Sequence, residues 1–196
     1  AETGMDALVH LIETYVSLNA TPFSDILAEK PIQWIARYLP VAWAKGSNLE
    51  ARYFMSLAAT LGGMAFASGG LGAVHALAYS IGTEYHLSHG RSNAIMLPHG
   101  MRYNLSGNAE KYAAIAAFMG KNIQGLSTLE AALLSVEAVE KLLTTLQISF
   151  HLRDYGIPKG GIPKLVEGGM KFSRLFIPNP RDLKEEDVRN LYEAAY

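Results

Sequence analysis

Not one cysteine occurs among the 196 residues. Disulfides, thiolate metal sites and cysteine nucleophiles are thereby excluded, and any transition metal must be held by histidine nitrogen and carboxylate oxygen. A reducing, cytoplasmic setting is the expectation that goes with this. An excess of one charge is missing too: 17 lysines and arginines stand against 18 aspartates and glutamates, for a formal net charge of -1. Such a balance creates no field to gather nucleic-acid phosphates or anionic lipid. Gly, His, Ser and charged residues interrupt every apolar stretch, so none reaches the roughly 18 to 20 residues that a bilayer crossing needs. Neither nucleic acid nor a membrane is an expected partner. The opening Ala1-Glu2-Thr3-Gly4 has no basic segment followed by an apolar one, and it does not read as a signal peptide. Nowhere does an apolar and polar alternation of strand length appear between hairpin signals.

What is present is helical. With 49% hydrophobic and 18% charged residues, the chain has the balance of a folded domain, long enough for one proper core. From Asp6 to Leu18, the residues Ala7, Leu8, Leu11, Ile12, Tyr15 and Val16 recur at helical spacing and predict an amphipathic helix with one buried stripe. Pro22 suits the first turn of a second helix, Pro31 kinks it or begins another, and Pro40 is expected to mark its end. A further helix is predicted from Asn48 towards Ala67, then two between Gly69 and Asn104 with a turn near Glu84 to Ser88. Helices over Ala109 to Met119 and Ser127 to Leu146 follow, the second opened by a Ser127/Glu130 capping box. After the Pro158 to Pro163 punctuation comes a short helix from about Lys164 to Phe172, and after the Ile177 to Arg181 loop a last one, capped by Asp182 with Glu185. No repeat or linker divides the chain. The expectation is an all-α, multi-helix domain over residues 1–196.

Chemistry gathers at two pairs of residues. Asp6 and His10 are four apart, so on one helix they project from the same face about a turn from each other. His75 and His89 are fourteen apart, which on a straight helix separates them by roughly 21 Å, too far for one ion. The chain must therefore turn between them, and Gly82-Thr83-Glu84 offers a place. A helical hairpin would then bring both imidazoles over the Asp6 and His10 face. One carboxylate with three imidazoles suits Fe(II) or Zn(II). Taken singly, each residue has a plainer role: a histidine on an Ala-rich helix is often a hydrogen-bonded core residue, and an aspartate near a helix start stabilises its dipole. A ligating histidine usually needs a partner on its other ring nitrogen, and Glu13, Asn93 or His99 could serve. Trp34 and Trp43 read as core or interface anchors, and His151 as a surface residue.

The opening Thr3-Gly4-Met5-Asp6-Ala7-Leu8-Val9-His10 resembles the TGMDALxH segment of the iron-containing alcohol dehydrogenases. Gly72-Ala73-Val74-His75 through Gly82, then Ser88-His89-Gly90-Arg91-Ser92-Asn93 through Pro98-His99, is similar to that family's long histidine signature, and Asn179-Pro180-Arg181 to its C-terminal end. The resemblance implies the helical C-terminal domain of that family, shared in fold with dehydroquinate synthase-like proteins. It implies a divalent metal, Fe(II) first and Zn(II) second, held by Asp6, His10, His75 and His89. It further implies interconversion of an alcohol and an aldehyde or ketone by metal-assisted hydride transfer with NAD(P), in a homo-oligomer. A histidine common in the family near the nicotinamide is Tyr79 here. Tyr79 is thus the expected cofactor contact and, with His86, a candidate proton relay, although a phenol titrates far above an imidazole and relays less well near neutral pH. The usual proline before the fourth ligand is Ser88.

The family's nucleotide-binding domain normally precedes the opening segment. Gly69-Gly70-x-Gly72 lacks the preceding strand of a dinucleotide fingerprint. The expectation is a domain that lacks its nucleotide-binding half and turns over no NAD(P) alone. Competing readings are a helical metal-dependent hydrolase, a non-catalytic helical interaction module, and a maleylacetate-reductase-like member of the superfamily, against which the four retained ligands count.

Overall fold

The computed structural model describes residues 1–196, which form nine α-helices and four short 3-10 segments and no strand. The all-α expectation holds. The first helix, α1 (Glu2–Val16), buries Met5, Leu8, Val9, Leu11, Ile12, Tyr15 and Val16. The expected stripe is buried, and with Gly4, Glu13 and Thr14 buried as well the covered face is wider than one stripe and leaves the side of Asp6 and His10 less covered, so α1 is a central element. It packs chiefly on α2 (Pro22–Ala44), α3 (Leu49–Gly69) and α5 (His89–Asn104), with α4 (Ala73–Tyr85) against α5 beside it.

Local chemistry sets most of the boundaries. The Thr21 and Ser24 side chains each accept from the other's backbone N–H at the start of α2, with Pro22 at the first helical position. Pro40 does not end this helix: both Pro31 and Pro40 lie inside it, and α2 runs on to Ala44. A proline removes one helical hydrogen bond, but α2 makes its most extensive contact with the neighbouring α3, and that packing outweighs the local loss. Asn48 Oδ1 caps α3 by accepting from Ala51 N at 3.0 Å. The turn between α4 and α5 occupies residues 86–88, within the Glu84 to Ser88 stretch but past Gly82-Thr83-Glu84, which stay helical inside α4, and His86 closes α4 in the left-handed conformation.

Beyond the site, α6 (Ala109–Phe118) and α7 (Thr128–Thr145) form a second hairpin, with the Ser127/Glu130 box at the start of α7. Then α8 (Ile162–Met170) packs on α4 and on the last helix, α9 (Glu185–Ala194). The acidic cap of α9 is Asp187, which accepts from Lys184 N at 2.8 Å, in place of the expected Asp182. Forty buried hydrophobic residues drawn from all nine helices form one continuous cluster, so a single core supports the site. No single helix is long and apolar enough to cross a membrane; α3 and α4 reach that apolarity only jointly, across a bend of 111°.

Candidate metal centre

Asp6 and His10 face the same side of α1, next to the start of α4 and the start of α5. One donor atom each from Asp6, His10 and His75 lies within 4.8 Å of the others. The His10 and His75 rings meet edge to face at 4.5 Å between centroids, and His75 and His89 are 5.4 Å apart. His89 Nε2 stands 3.3 Å from Asp6 Oδ1. The two pairs, some seventy residues apart in sequence, therefore meet around Asp6.

The ring nitrogens are sorted by their partners. His10 Nδ1 donates to its own helix at Asp6 O, 2.7 Å away, which leaves Nε2 as the nitrogen with a free lone pair. His75, fully buried, has Nδ1 2.6 Å from Glu13 Oε2, while its Nε2 has no hydrogen-bond partner. A buried unpaired acceptor costs about 1–3 kcal/mol, a cost that a cation at Nε2 removes. The Asn93 amide donates to Asp6 Oδ1 at 2.6 Å and approaches His89 Nε2 at 3.1 Å. Burial first, and then the neighbouring His75, holds His10 below the ordinary histidine range, against the opposing pull of Asp6 and Glu13. Burial does the same to His89, opposed by Asp6. Both rings are thus kept neutral, the form in which imidazole binds metal. Neutral imidazoles, a carboxylate and an orphaned buried nitrogen fit a divalent cation.

Several side chains outside the sequence expectation build this geometry. Ser88, where the family pattern has proline, caps α5 by accepting from Arg91 N, and its hydroxyl donates to Glu2; the Arg91 guanidinium pairs with Glu2 as well. The hydrogen bond from Ser88 holds the Glu2 carboxyl below the usual range, helped by the Arg91 charge. The beginnings of α1 and α5 are so tied that His89 is held beside Asp6. Between them Gly90 passes so close that an added Cβ would lie 2.5 Å from Glu2 O. Glu2 is four residues before Asp6, a spacing that could have flagged it. Arg91 and Phe172 carried no such signal.

Tyr79 stacks on His89 with centroids 5.2 Å apart and planes 17° from parallel, and Phe172 covers it at 5.0 Å. His86 is exposed at the end of α4 and shares no ring or polar contact with the four. His99 lies elsewhere, its Nε2 on Phe150 O at 3.0 Å. A cleft of about 180 Å³, lined by Thr3, Asp6, Ala7, His10, Ala59, Gly63 and Phe66, opens onto the cluster from the α3 side.

Comparison with known proteins finds relatives over the whole chain. The model of the Fe-containing alcohol dehydrogenase family, C-terminal, matches residues 1–196. The 1,3-propanediol dehydrogenase of Citrobacter freundii is 45% identical over 196 residues, covering 100% of this chain and 50% of that protein. The crystal structure of a 1,3-propanediol oxidoreductase superposes with a TM-score of 0.97 at 44% identity, covering 100% of this chain and 51% of the other. An alcohol dehydrogenase from Oenococcus oeni gives 0.95 at 37% identity, with coverage of 98% and 50%. The chain spans about half the length of the relatives it matches.

Proposed function

Because the chain belongs to the iron-containing alcohol dehydrogenase family, as its C-terminal domain, we propose that it is the metal-holding part of an enzyme that interconverts an alcohol and an aldehyde or ketone with NAD(P). The observation that carries the reading is the orphaned, fully buried Nε2 of His75 beside the Asp6 carboxylate and the rings of His10 and His89. Asp6, His10, His75 and His89 are the proposed ligands. Without thiolate, that set suits Fe(II) or Zn(II). A divalent cation there supplies Lewis acidity to an alcohol or carbonyl oxygen.

The chain's own groups do the rest. His10, mostly buried, and the more exposed His89 are both shifted towards the neutral ring, which offers a lone pair to a cation. The Asn93 amide steadies the Asp6 carboxylate against rotation. Tyr79, stacked on His89 and sheltered by Phe172, sets a phenol hydroxyl at the edge of the cluster, where it can hold or pass the substrate proton. His86, exposed at the end of α4, is the second proposed acceptor for that proton. The cleft between α1 and α3 admits a small substrate, and the relatives named for 1,3-propanediol and alcohol support that class. Since the chain spans about half the length of its relatives, the nicotinamide nucleotide is assigned mainly to the half of the enzyme that these residues do not match, and these 196 residues alone should reduce no NAD(P).

Metal analysis of Asp6→Ala and His75→Ala tests the reading. Each substitution should lower bound metal at least tenfold; unchanged metal content in both would falsify the ligand assignment. The interaction-module alternative is weakened by the unpaired Nε2, which a purely packed histidine would have no reason to keep.

A further inference from the structure

The start of α4 has no cap of its own. Its N-cap residue is Gly72, which has no side chain to offer, and an isolated helix start leaves four N–H groups unpaired. Two remote side chains supply the acceptors. Glu13 Oε2 accepts from Gly72 N at 2.9 Å, Glu13 Oε1 from Val74 N at 2.6 Å, and Asn179 Oδ1 from Ala73 N at 3.3 Å. Glu13 is 5% exposed, on the central helix α1. A buried carboxylate at a helix N-terminus is stabilised by the dipole and by these charge-assisted bonds.

The same carboxylate meets His75, on the first turn of α4. Oε2 lies 2.6 Å from Nδ1, and both Glu13 oxygens also accept from backbone N–H groups. As a carboxylate Glu13 has only lone pairs to offer, so the hydrogen of this contact comes from the ring. With the proton on Nδ1, Nε2 holds the lone pair, and Nε2 is the buried atom with no partner. We propose that Glu13 is the positioning residue of the metal centre: by capping α4 and binding His75 Nδ1–H with one carboxylate, it locks both the place of the ring and the tautomer that presents Nε2 to the cation. The proposal rests on the metal reading above.

The test has two readouts besides turnover. In metal-free protein labelled with ¹⁵N-histidine, the His75 signals, assigned with His75→Asn, should show the proton on Nδ1; a proton on Nε2 overturns the proposal even if no variant folds. In competition with a chromogenic chelator, Glu13→Leu should bind Zn²⁺ about 10- to 100-fold more weakly than wild type. Val139→Ala serves as the control for lost stability, since it removes buried methyl groups on α7 without touching a ligand or the cap of α4, and it should bind Zn²⁺ as wild type does. Equal loosening in both variants, or none in Glu13→Leu, overturns the role of Glu13. Failure of the wild type to take up Zn²⁺ overturns the underlying metal reading instead, and the tautomer measurement tells the two failures apart.

Discussion

Among the histidines, position in the fold decides protonation. His99 is packed near Phe150 and His151, and burial holds it below the ordinary histidine range, partly opposed by its hydrogen bond to Phe150 O. Near the unfolded value of about 6.5, the unfolded chain takes a proton that folded His99 resists. Stability is then complete above that pH and falls as pH drops below it. Urea denaturation between pH 8 and pH 5 should show the decline, and His99→Gln should flatten part of it while costing about 1 kcal/mol at pH 8 through the altered bond to Phe150; a parallel decline in the variant would remove His99 from the account. The Asp6/His10 pair was legible in the sequence, because i,i+4 spacing is a property of one helix and needs no tertiary knowledge, whereas His75 and His89, fourteen apart, were joined to it by the resemblance to the family's histidine signature. The roles of Glu2, Arg91 and Phe172 were not legible, since each acts on a residue far away in sequence, with Glu2 and Arg91 separated by 89 positions.

For the helices, glycine marks where axes approach. Gly90 sits where α5 crosses α1, and its Cβ would meet Glu2 O at 2.5 Å and Glu2 C at 2.8 Å. Those are backbone atoms of a packed helix, so Gly90→Ala should destabilise by about 1–3 kcal/mol and, by pushing His89 from Asp6, weaken metal binding too. Gly63, in the interior of α3, has nothing within 4 Å of its Cβ position. Gly63→Ala should therefore stabilise by about 0.5–1 kcal/mol through helix propensity. Thermal melts of the two variants check the contrast, and a stabilised Gly90→Ala would mean that the helices do not cross as closely as described. Helix number and the turn before His89 were readable from periodicity and capping residues such as Ser127 and Glu130. The persistence of α2 through Pro40 was not, because it depends on the partner α3 and not on local preference; the same holds for the width of the buried face of α1.

Across the molecule, the proposed ligands join α1 to α4 and α5, with the whole α2–α3 hairpin between them in the chain. A cation that binds only this assembled state should raise stability by about 2.7 kcal/mol at a hundredfold excess over its Kd, or about 5–10 °C in Tm for a chain of this size. Calorimetry with and without a chelator measures it, and an unchanged Tm would leave the cluster without a bound ion. The all-α class was legible in the sequence because no strand pattern competes with the helical one, whereas the way the helices stack around α1 was not. The borrowed acceptors of α4 also dictate an order of events. Its first turn depends on Glu13, 59 residues before Gly72, and on Asn179, 106 residues after Ala73, so this helix cannot settle until distant segments have already docked. Amide exchange at Gly72, Ala73 and Val74 should accordingly occur only when the whole chain opens, making three backbone hydrogens a clock for the completion of folding.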